Sequence, residues 1–307
     1  MHFHSFREFL SEEPDQRVAV AVAAAGDPEV LEAIKAAQDR GWVEPILCGN
    51  PQKIEDAAKA VGLKLEGRVI EAGDDKLAAR LAVEEVRSGR AQMLMKGLIE
   101  TSDFLRAVLD RDRGLRMGER RMSHLAVLED PRHQRLYFMS DAAVNVNPDL
   151  LMKVEIVRNA VEALHALGVP EPLVAVLAAV ELVDPAMPAT VDAANLAKMS
   201  ERGQLPRCIV DGPLALDNAI SSEAAHHKGI KSPVAGQPDI LIVPNIEAGN
   251  VLYKAFTYFQ GARTAGILLG ARCPIVLTSR ADPAELKLLS IGMGMRVASG
   301  RPAPVAI

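Results

Sequence analysis

Short runs of β-branched and aliphatic residues recur along the chain, and between them apolar residues return every three or four positions. The first half contains such runs at Val18 to Ala24, Pro45 to Cys48, Arg68 to Glu71, Gln92 to Lys96, Leu125 to Leu128 and Leu136 to Met139. The second half contains Leu173 to Ala178, Cys208 to Asp211, Ile240 to Val243, Gly266 to Leu269 and Pro274 to Thr278. Runs apolar on both faces, separated by helices, mark largely parallel sheets covered on each side. The pattern predicts an α/β protein. Val30 to Ala37 and Leu151 to Leu164 carry the three-and-four spacing of core-facing amphipathic helices.

Several strand-to-helix junctions place a polar cap before a proline: Gly26-Asp27-Pro28-Glu29, Gly49-Asn50-Pro51, Asn147-Pro148-Asp149 and Asp282-Pro283-Ala284-Glu285. A polar cap accepts free amide hydrogens of the first turn, and proline fits there because its missing donor has no intrahelical partner. In open α/β sheets, ligands bind outside the carboxyl ends of strands, where helix N-termini attract anions. Function is expected at those ends.

The length of 307 residues suggests two domains, and 49% hydrophobic with 24% charged residues is the balance of an ordinary globular chain. Lys+Arg 35 against Asp+Glu 40 gives a net charge of -5, so no global positive field exists to hold nucleic acid or an anionic membrane. An anionic ligand is then held by a local cluster. Cys48, Cys208 and Cys273 are scattered, without CxxC spacing, which argues against disulfides, a zinc site or an iron-sulfur cluster; they read as small buried hydrophobes. The opening MHFHSFREFLSEEP has no apolar run resembling a signal peptide, and no window is apolar enough for a membrane span. A cytoplasmic location is expected.

The best candidate for chemistry is Pro274-Ile275-Val276-Leu277-Thr278-Ser279-Arg280-Ala281-Asp282, a buried strand ending in two hydroxyls, a guanidinium and a carboxylate. Arginine offers a planar fork for phosphate or carboxylate, and adjacent hydroxyls can hydrogen-bond a developing oxyanion. A purely structural account also suits these residues: Asp282 as a helix cap, Glu285 completing a capping box, and Arg280 at the surface. The second cluster, Lys96-Gly97-Leu98-Ile99-Glu100-Thr101-Ser102-Asp103, has Arg106 one turn beyond Ser102; its glycine permits close backbone approach to a ligand. An N-cap with an exposed arginine explains it equally. A third stretch, Ser232-Pro233-Val234-Ala235-Gly236 through Pro244-Asn245-Ile246-Glu247-Ala248-Gly249-Asn250, brackets a buried strand with glycine-bearing loops, as a ligand wall or as plain turns.

No GxxxxGK phosphate loop, no GxGxxG after a first strand and no GxSxG elbow occur. His226 and His227 are adjacent and point to different helix faces, so a shared metal site is not expected; His124, His133 and His165 read as structural or exposed.

Taken together, the clusters resemble the phosphate acetyl/butyryltransferase family. The resemblance is strongest in Lys96-Gly97-Leu98-Ile99-Glu100-Thr101, Ser140-Asp141-Ala142-Ala143-Val144-Asn145, Val210-Asp211-Gly212-Pro213-Leu214-Ala215-Leu216-Asp217-Asn218-Ala219-Ile220-Ser221, Ser232 to Gly236, Glu247 to Asn250 and Leu277 to Asp282. It implies two α/β domains like those of isocitrate and isopropylmalate dehydrogenases, an interdomain cleft, and a homodimer. The division it implies is residues 1–139 with 270–307 as a discontinuous first domain and 140–269 as the second. The resemblance also implies an acyltransferase that exchanges phosphate and coenzyme A on a short acyl group, by direct transfer in a ternary complex, with no cofactor, metal, nucleic acid or membrane.

By the same resemblance, Ser279 and Arg280 match the catalytic pair and Arg106 the arginine after the first-domain loop. Phosphate and coenzyme A contacts are expected from Arg106, Thr101, Thr278, Gly97, Ser232, Gly236 and Asn250. Acetyl-type members carry an acid proposed as the base where this chain has Leu286; Asp282, counted with the catalytic residues, or Glu285 is expected to serve instead. Glu100 and Ala142 stand where acetyl-type members have histidine and cysteine, and the chain looks closer to the butyryl type. Two other readings stay open: acyl phosphate synthesis from acyl carrier protein, and a non-catalytic acyl-CoA sensor.

Overall fold

The computed structural model describes residues 3–11, 15–65, 68–132, 134–278 and 282–300. The chain runs α1 (Phe6–Phe9), β1 (Val18–Ala23), α2 (Pro28–Asp39), β2 (Val43–Gly49), α3 (Pro51–Val61), β3 (Arg68–Glu71), α4 (Asp75–Arg87), β4 (Met93–Lys96) and α5 (Thr101–Val108). Next come β5 (Ser123–Asp130), β6 (Arg135–Ser140), α6 (Leu150–Ala166), β7 (Leu173–Leu177), α7 (Pro188–Glu201), β8 (Ile209–Leu214), α8 (Leu216–Ile220) and α9 (Ser222–His227). It closes with β9 (Ile240–Ile242), α10 (Ile246–Phe259), β10 (Thr264–Leu269), β11 (Ile275–Val276) and α11 (Ala284–Ser299). Every apolar run read from the sequence overlaps one of these strands, and the fold is α/β.

The described residues form two compact units, one from 10–120 with 265–307 and the other from 121–264 with 1–9. In the first, strand order is β3-β2-β1-β4-β11-β10, parallel except between β10 and β11. In the second it is β5-β6-β9-β7-β8, parallel except for the β5–β6 hairpin. Both exceptions join strands through short connections, which only antiparallel neighbours allow. The units hand over at 120 and 264 rather than at the 139 and 269 expected from the sequence. The reason lies in pairing: β6 hydrogen-bonds β5 on one side and β9 on the other, which holds the hairpin with the middle of the chain.

The start of the chain also joins that middle unit. Phe3, Phe6 and Phe9 are buried, and Phe9 meets the β6 residue Phe138 edge-on at 6.1 Å. Leu136 donates its N–H to the Phe3 carbonyl at 2.8 Å. Glu129 accepts the Phe6 N–H at 3.1 Å and two Arg263 donors at 2.6 and 2.9 Å. A fork-to-fork ion pair thus holds the aromatic segment down.

Asp27 and Asn50 cap α2 and α3 as expected, accepting the Val30 and Lys53 amides at 2.9 and 3.0 Å. Two junctions differ. Asp149, not Asn147, caps α6, because its carboxylate stands three residues before the free Met152 amide and accepts it at 2.8 Å. At α11 the cap position falls on Pro283, whose side chain has no acceptor, rather than on Asp282. Helix α11 is buried nearly all round, through Leu289, Ile291, Met293, Met295 and Val297, so its sequence shows no amphipathic stripe. Fully burying an aliphatic side chain such as Ile291 stabilises the fold by about 1.5–3 kcal/mol.

Candidate active site

The carboxyl ends of β1, β4 and β11 lie side by side, with β4 between the other two. The β4 chain continues along β1: Gly97 donates its N–H to the Ala23 carbonyl at 2.8 Å, and Leu98 donates to Ala24 at 2.9 Å. A Cβ at Gly97 would stand 2.3 Å from the Ala24 oxygen and 2.6 Å from that of Ala23. Gly97 is therefore required by the neighbouring strand.

These ends border a small open concavity, lined among others by Lys96, Gly97, Leu98, Thr278, Lys287 and Asp27. Lys96 and Lys287 are each 3% exposed. Burying an ammonium costs several kcal/mol unless it is paired. Lys287 Nζ donates to Glu29 Oε2 at 3.0 Å and to the Asp282 carbonyl, tying α2 to the segment that leads into α11. Lys96 Nζ is directed at the Gly97 carbonyl, 3.4 Å away. Neither lysine was singled out from the sequence for binding. The available signal was a cation inside an otherwise apolar stretch, Met93-Leu94-Met95-Lys96 and Leu286-Lys287-Leu288-Leu289.

Of the expected catalytic residues, Ser279 and Arg280 lie outside the described residues. Thr278 and Asp282 flank them; Thr278 is buried and Asp282 half-buried. Thr101 opens α5 and is exposed, and Arg106 projects from the same helix with 72% of its side chain exposed. Its Nη1 donates to Asp103 Oδ1 at 2.6 Å, and Asp103 also reaches Lys76 at 3.7 Å. The guanidinium thus shares one helix face with Asp103, as the spacing predicts.

Ser232, Gly236 and Asn250 belong to the other compact unit. Ser232 Oγ accepts the Val234 and Ala235 amides at 3.0 and 3.1 Å, a hydroxyl-closed turn. Gly236 has φ +83, and a Cβ there would meet Ser222 Oγ at 2.3 Å, so its glycine is set by packing on α9. Asn250, exposed on α10, directs Nδ2 to the Ala142 carbonyl at 3.4 Å. In the same unit Asp141 accepts the Ala143, Val144 and Asn145 amides at 2.9, 3.0 and 3.2 Å, which folds the Ser140–Asn145 motif into a closed turn. Burial pushes the nearby His124 ring below its ordinary pKa, against the pull of Asp141, and its Nδ1 is buried without a hydrogen-bond partner.

Residues 73–291 match the family described as Phosphate acetyl/butaryl transferase. The chain belongs to this family. It is 49% identical to the phosphate butyryltransferase of Clostridium beijerinckii, over 97% of this chain and 98% of that protein. It is 44% identical to the phosphate acetyltransferase of Thermotoga maritima, over 89% and 93% of the two chains. The crystal structure of a branched-chain phosphotransacylase from Enterococcus faecalis superposes with a TM-score of 0.80 at 32% identity, over 92% of this chain and 99% of that one.

Phosphate acetyl/butaryl transferases are acyltransferases, and the chain is an enzyme of that class. In this family member the candidate residues divide between the two units. Gly97, Thr101, Arg106, Thr278 and Asp282 lie in one, and Ser232, Gly236 and Asn250 in the other. Among the described residues, no group of three or more His, Cys, Asp or Glu side chains could hold a metal ion, and no helix is long and apolar enough to cross a membrane. Burial pushes the Cys48 thiol up to about 12, the behaviour of a packed hydrophobe rather than a nucleophile.

Proposed function

We propose that the enzyme exchanges phosphate and coenzyme A on a short acyl group, converting acyl-CoA and phosphate to acyl phosphate and coenzyme A, reversibly and by direct transfer. The observation that carries this reading is full-length similarity to a phosphate butyryltransferase, together with a cation-lined concavity whose wall residue Thr278 immediately precedes Ser279-Arg280. Small-molecule exchange in the cytoplasm, by a homodimer and without a bound cofactor, completes the reading. Val251, Tyr258 and Phe259 support the dimer, since α10 exposes all three at 68%, 81% and 91%.

In the direction of acyl-CoA synthesis, the sulfur of coenzyme A attacks the carbonyl carbon of acyl phosphate. A free thiol with pKa about 8.5 is only a few per cent ionised near neutral pH, so a base contributes roughly 10² to 10⁴ in rate. Asp282 takes that proton. A carbon–sulfur bond forms, the carbon–oxygen bond to phosphate breaks, and phosphate departs with the bonding electron pair. Ser279 and Arg280 stabilise the carbonyl oxygen and the departing phosphate, with Arg106 and Thr101 as outer contacts.

The test compares acetyl-, propionyl-, butyryl- and isobutyryl-CoA side by side in a phosphate-dependent thiol-release assay, for wild type and Arg280→Ala. One methylene in a pocket is worth about 1–3 kcal/mol, so a clear optimum is expected among the four. The variant is expected to lose at least about 10²-fold in kcat with little change in the KM for acyl-CoA. Near-normal turnover by Arg280→Ala would overturn the role of Arg280. Inertness of wild type toward all four substrates would overturn the reaction.

A further inference from the structure

We infer that Lys287 is a positioning residue for the general base: tied to Glu29, its ammonium holds the main chain of Asp282, so that the carboxylate is presented in one direction. The inference rests on the proposed exchange reaction, in which Asp282 takes the thiol proton, and names what aims that group. Neither Lys287 nor Glu29 has a part in the transfer step described above.

The placement of Lys287 is costly on two counts. Its side chain is 3% exposed, and a buried ammonium is expensive unless it is paired. It also stands at the start of α11, where the helix dipole disfavours a cation. Two bonds offset these costs: Nζ donates to Glu29 Oε2 at 3.0 Å and to the Asp282 carbonyl oxygen. Glu29 lies in the first turn of α2, where the dipole favours a carboxylate, and Asp27 fixes that turn by accepting the Val30 amide at 2.9 Å. The ammonium is thus clamped from a neighbouring helix, and its second bond falls on the residue that acts as base.

The backbone around Asp282 leaves little other freedom. Pro283 has φ -65°, and the residue before a proline is confined to extended conformations. Because the cap position of α11 is Pro283, no side chain caps the helix, and the held carbonyl of Asp282 fixes the entry in its place. With the extended conformation imposed and the carbonyl direction set by Lys287, the Cα–Cβ bond of Asp282 has a defined direction. A base must meet its proton within hydrogen-bond reach, and a misplacement of about 1 Å costs about 10²-fold in rate. Loss of the ammonium frees the carbonyl, and the aim of the carboxylate with it.

The test is a double-mutant cycle in the direction of acyl-CoA synthesis. Lys287→Met keeps the stem and removes the donors; it is expected to lower kcat about 10²-fold while the KM for coenzyme A stays within about threefold. Glu29→Gln keeps an acceptor and removes the charge, and is expected to cost about three- to tenfold in kcat. In the Asp282→Asn background, which lacks the base, Lys287→Met is expected to cost less than about threefold further, because a residue acting through Asp282 has nothing left to aim. The deficits of Lys287→Met and Asp282→Asn are also expected to shrink as pH rises from about 7 to about 9, where a thiol with pKa about 8.5 ionises without a base.

A folded Lys287→Met with kcat within about threefold of wild type would overturn the inference. Full multiplication of the Lys287→Met and Asp282→Asn losses would also overturn it, by making the lysine a general support of the fold. A raised KM for either substrate with kcat unchanged would make Lys287 a ligand contact, with the same result. Should Lys287→Met fail to fold, Glu29→Gln carries the same cycle, since 56% of that side chain is exposed. Asp282→Asn with wild-type turnover, or a wild type inert toward every substrate, is a failure of the proposed reaction itself, and the inference falls with it.

Discussion

Two motif-rich strand ends, one in each compact unit, use their residues differently. At the end of β4, Lys96 and Gly97 line open space beside Thr278 and Lys287. At the ends of β6 and β9, the Ser140–Asn145 and Asn245–Asn250 motifs close on themselves, because Asp141 accepts three backbone amides and Asn245 caps α10 through the Ala248 amide at 3.0 Å. The glycines do not separate the two regions. Gly97 yields to the carbonyls of β1, and Gly249 to Val243 Cγ2 at 2.8 Å and Ala142 Cα at 3.0 Å, so both answer to close packing. What separates them is the fate of the polar groups. In one region buried cations face a concavity, and in the other a carboxylate and a carboxamide satisfy the chain's own amides.

The sharpest way to break this comparison is Gly97→Ala. Its Cβ meets the backbone oxygens of the buried residues Ala23 and Ala24, and neither can swing aside as a side-chain tip would. A loss of about 3 kcal/mol in chemical denaturation is expected. A variant within about 1 kcal/mol of wild type would show that the β1 and β4 ends part freely, and the packing account of Gly97 would fall.

A smaller effect is expected from Ser232→Ala, which removes the acceptor for two turn amides. About 1 kcal/mol of stability should be lost, with the KM for acyl-CoA changed less than twofold. A tenfold rise in KM without loss of stability would make Ser232 a substrate contact and erase the contrast between the regions. The smallest effect belongs to Asn250→Ala, since an exposed amide 3.4 Å from a carbonyl makes a weak bond. Under about 0.5 kcal/mol is expected by thermal unfolding, again with KM unchanged. An altered KM there would mark the exposed start of α10 as part of a ligand wall.

Much of the fold could be read directly, because strand cores and helix starts depend on local residue order. The β1 and β4 runs are apolar on both faces, and Asp27-Pro28 and Asn50-Pro51 carry their caps beside them. Asp149 escaped because three consecutive residues there could each begin a helix, and only the position of the free Met152 amide chooses among them. Helix α11 escaped because burial on nearly every side removes the polar stripe that periodicity needs. Thr278 and Asp282 were named as candidates through their strand end. Lys96 and Lys287 were passed over because lysine on its own is most often a surface residue, and its burial shows only once distant elements pack around it.

The sequence by itself determined the α/β class, the order of strands along the chain, the family resemblance and the Ser279-Arg280 motif, since each is written in contiguous residues. Tertiary structure alone decided that β5 and β6 join the middle of the chain and that three phenylalanines fasten its start to β6. It alone brought Lys287 and Lys96, 191 positions apart in sequence, to one concavity. The physical reason is the same in each case. Hydrogen-bond pairing between strands and the cost of burying a charge are settled among residues far apart in sequence, where no local pattern can record them.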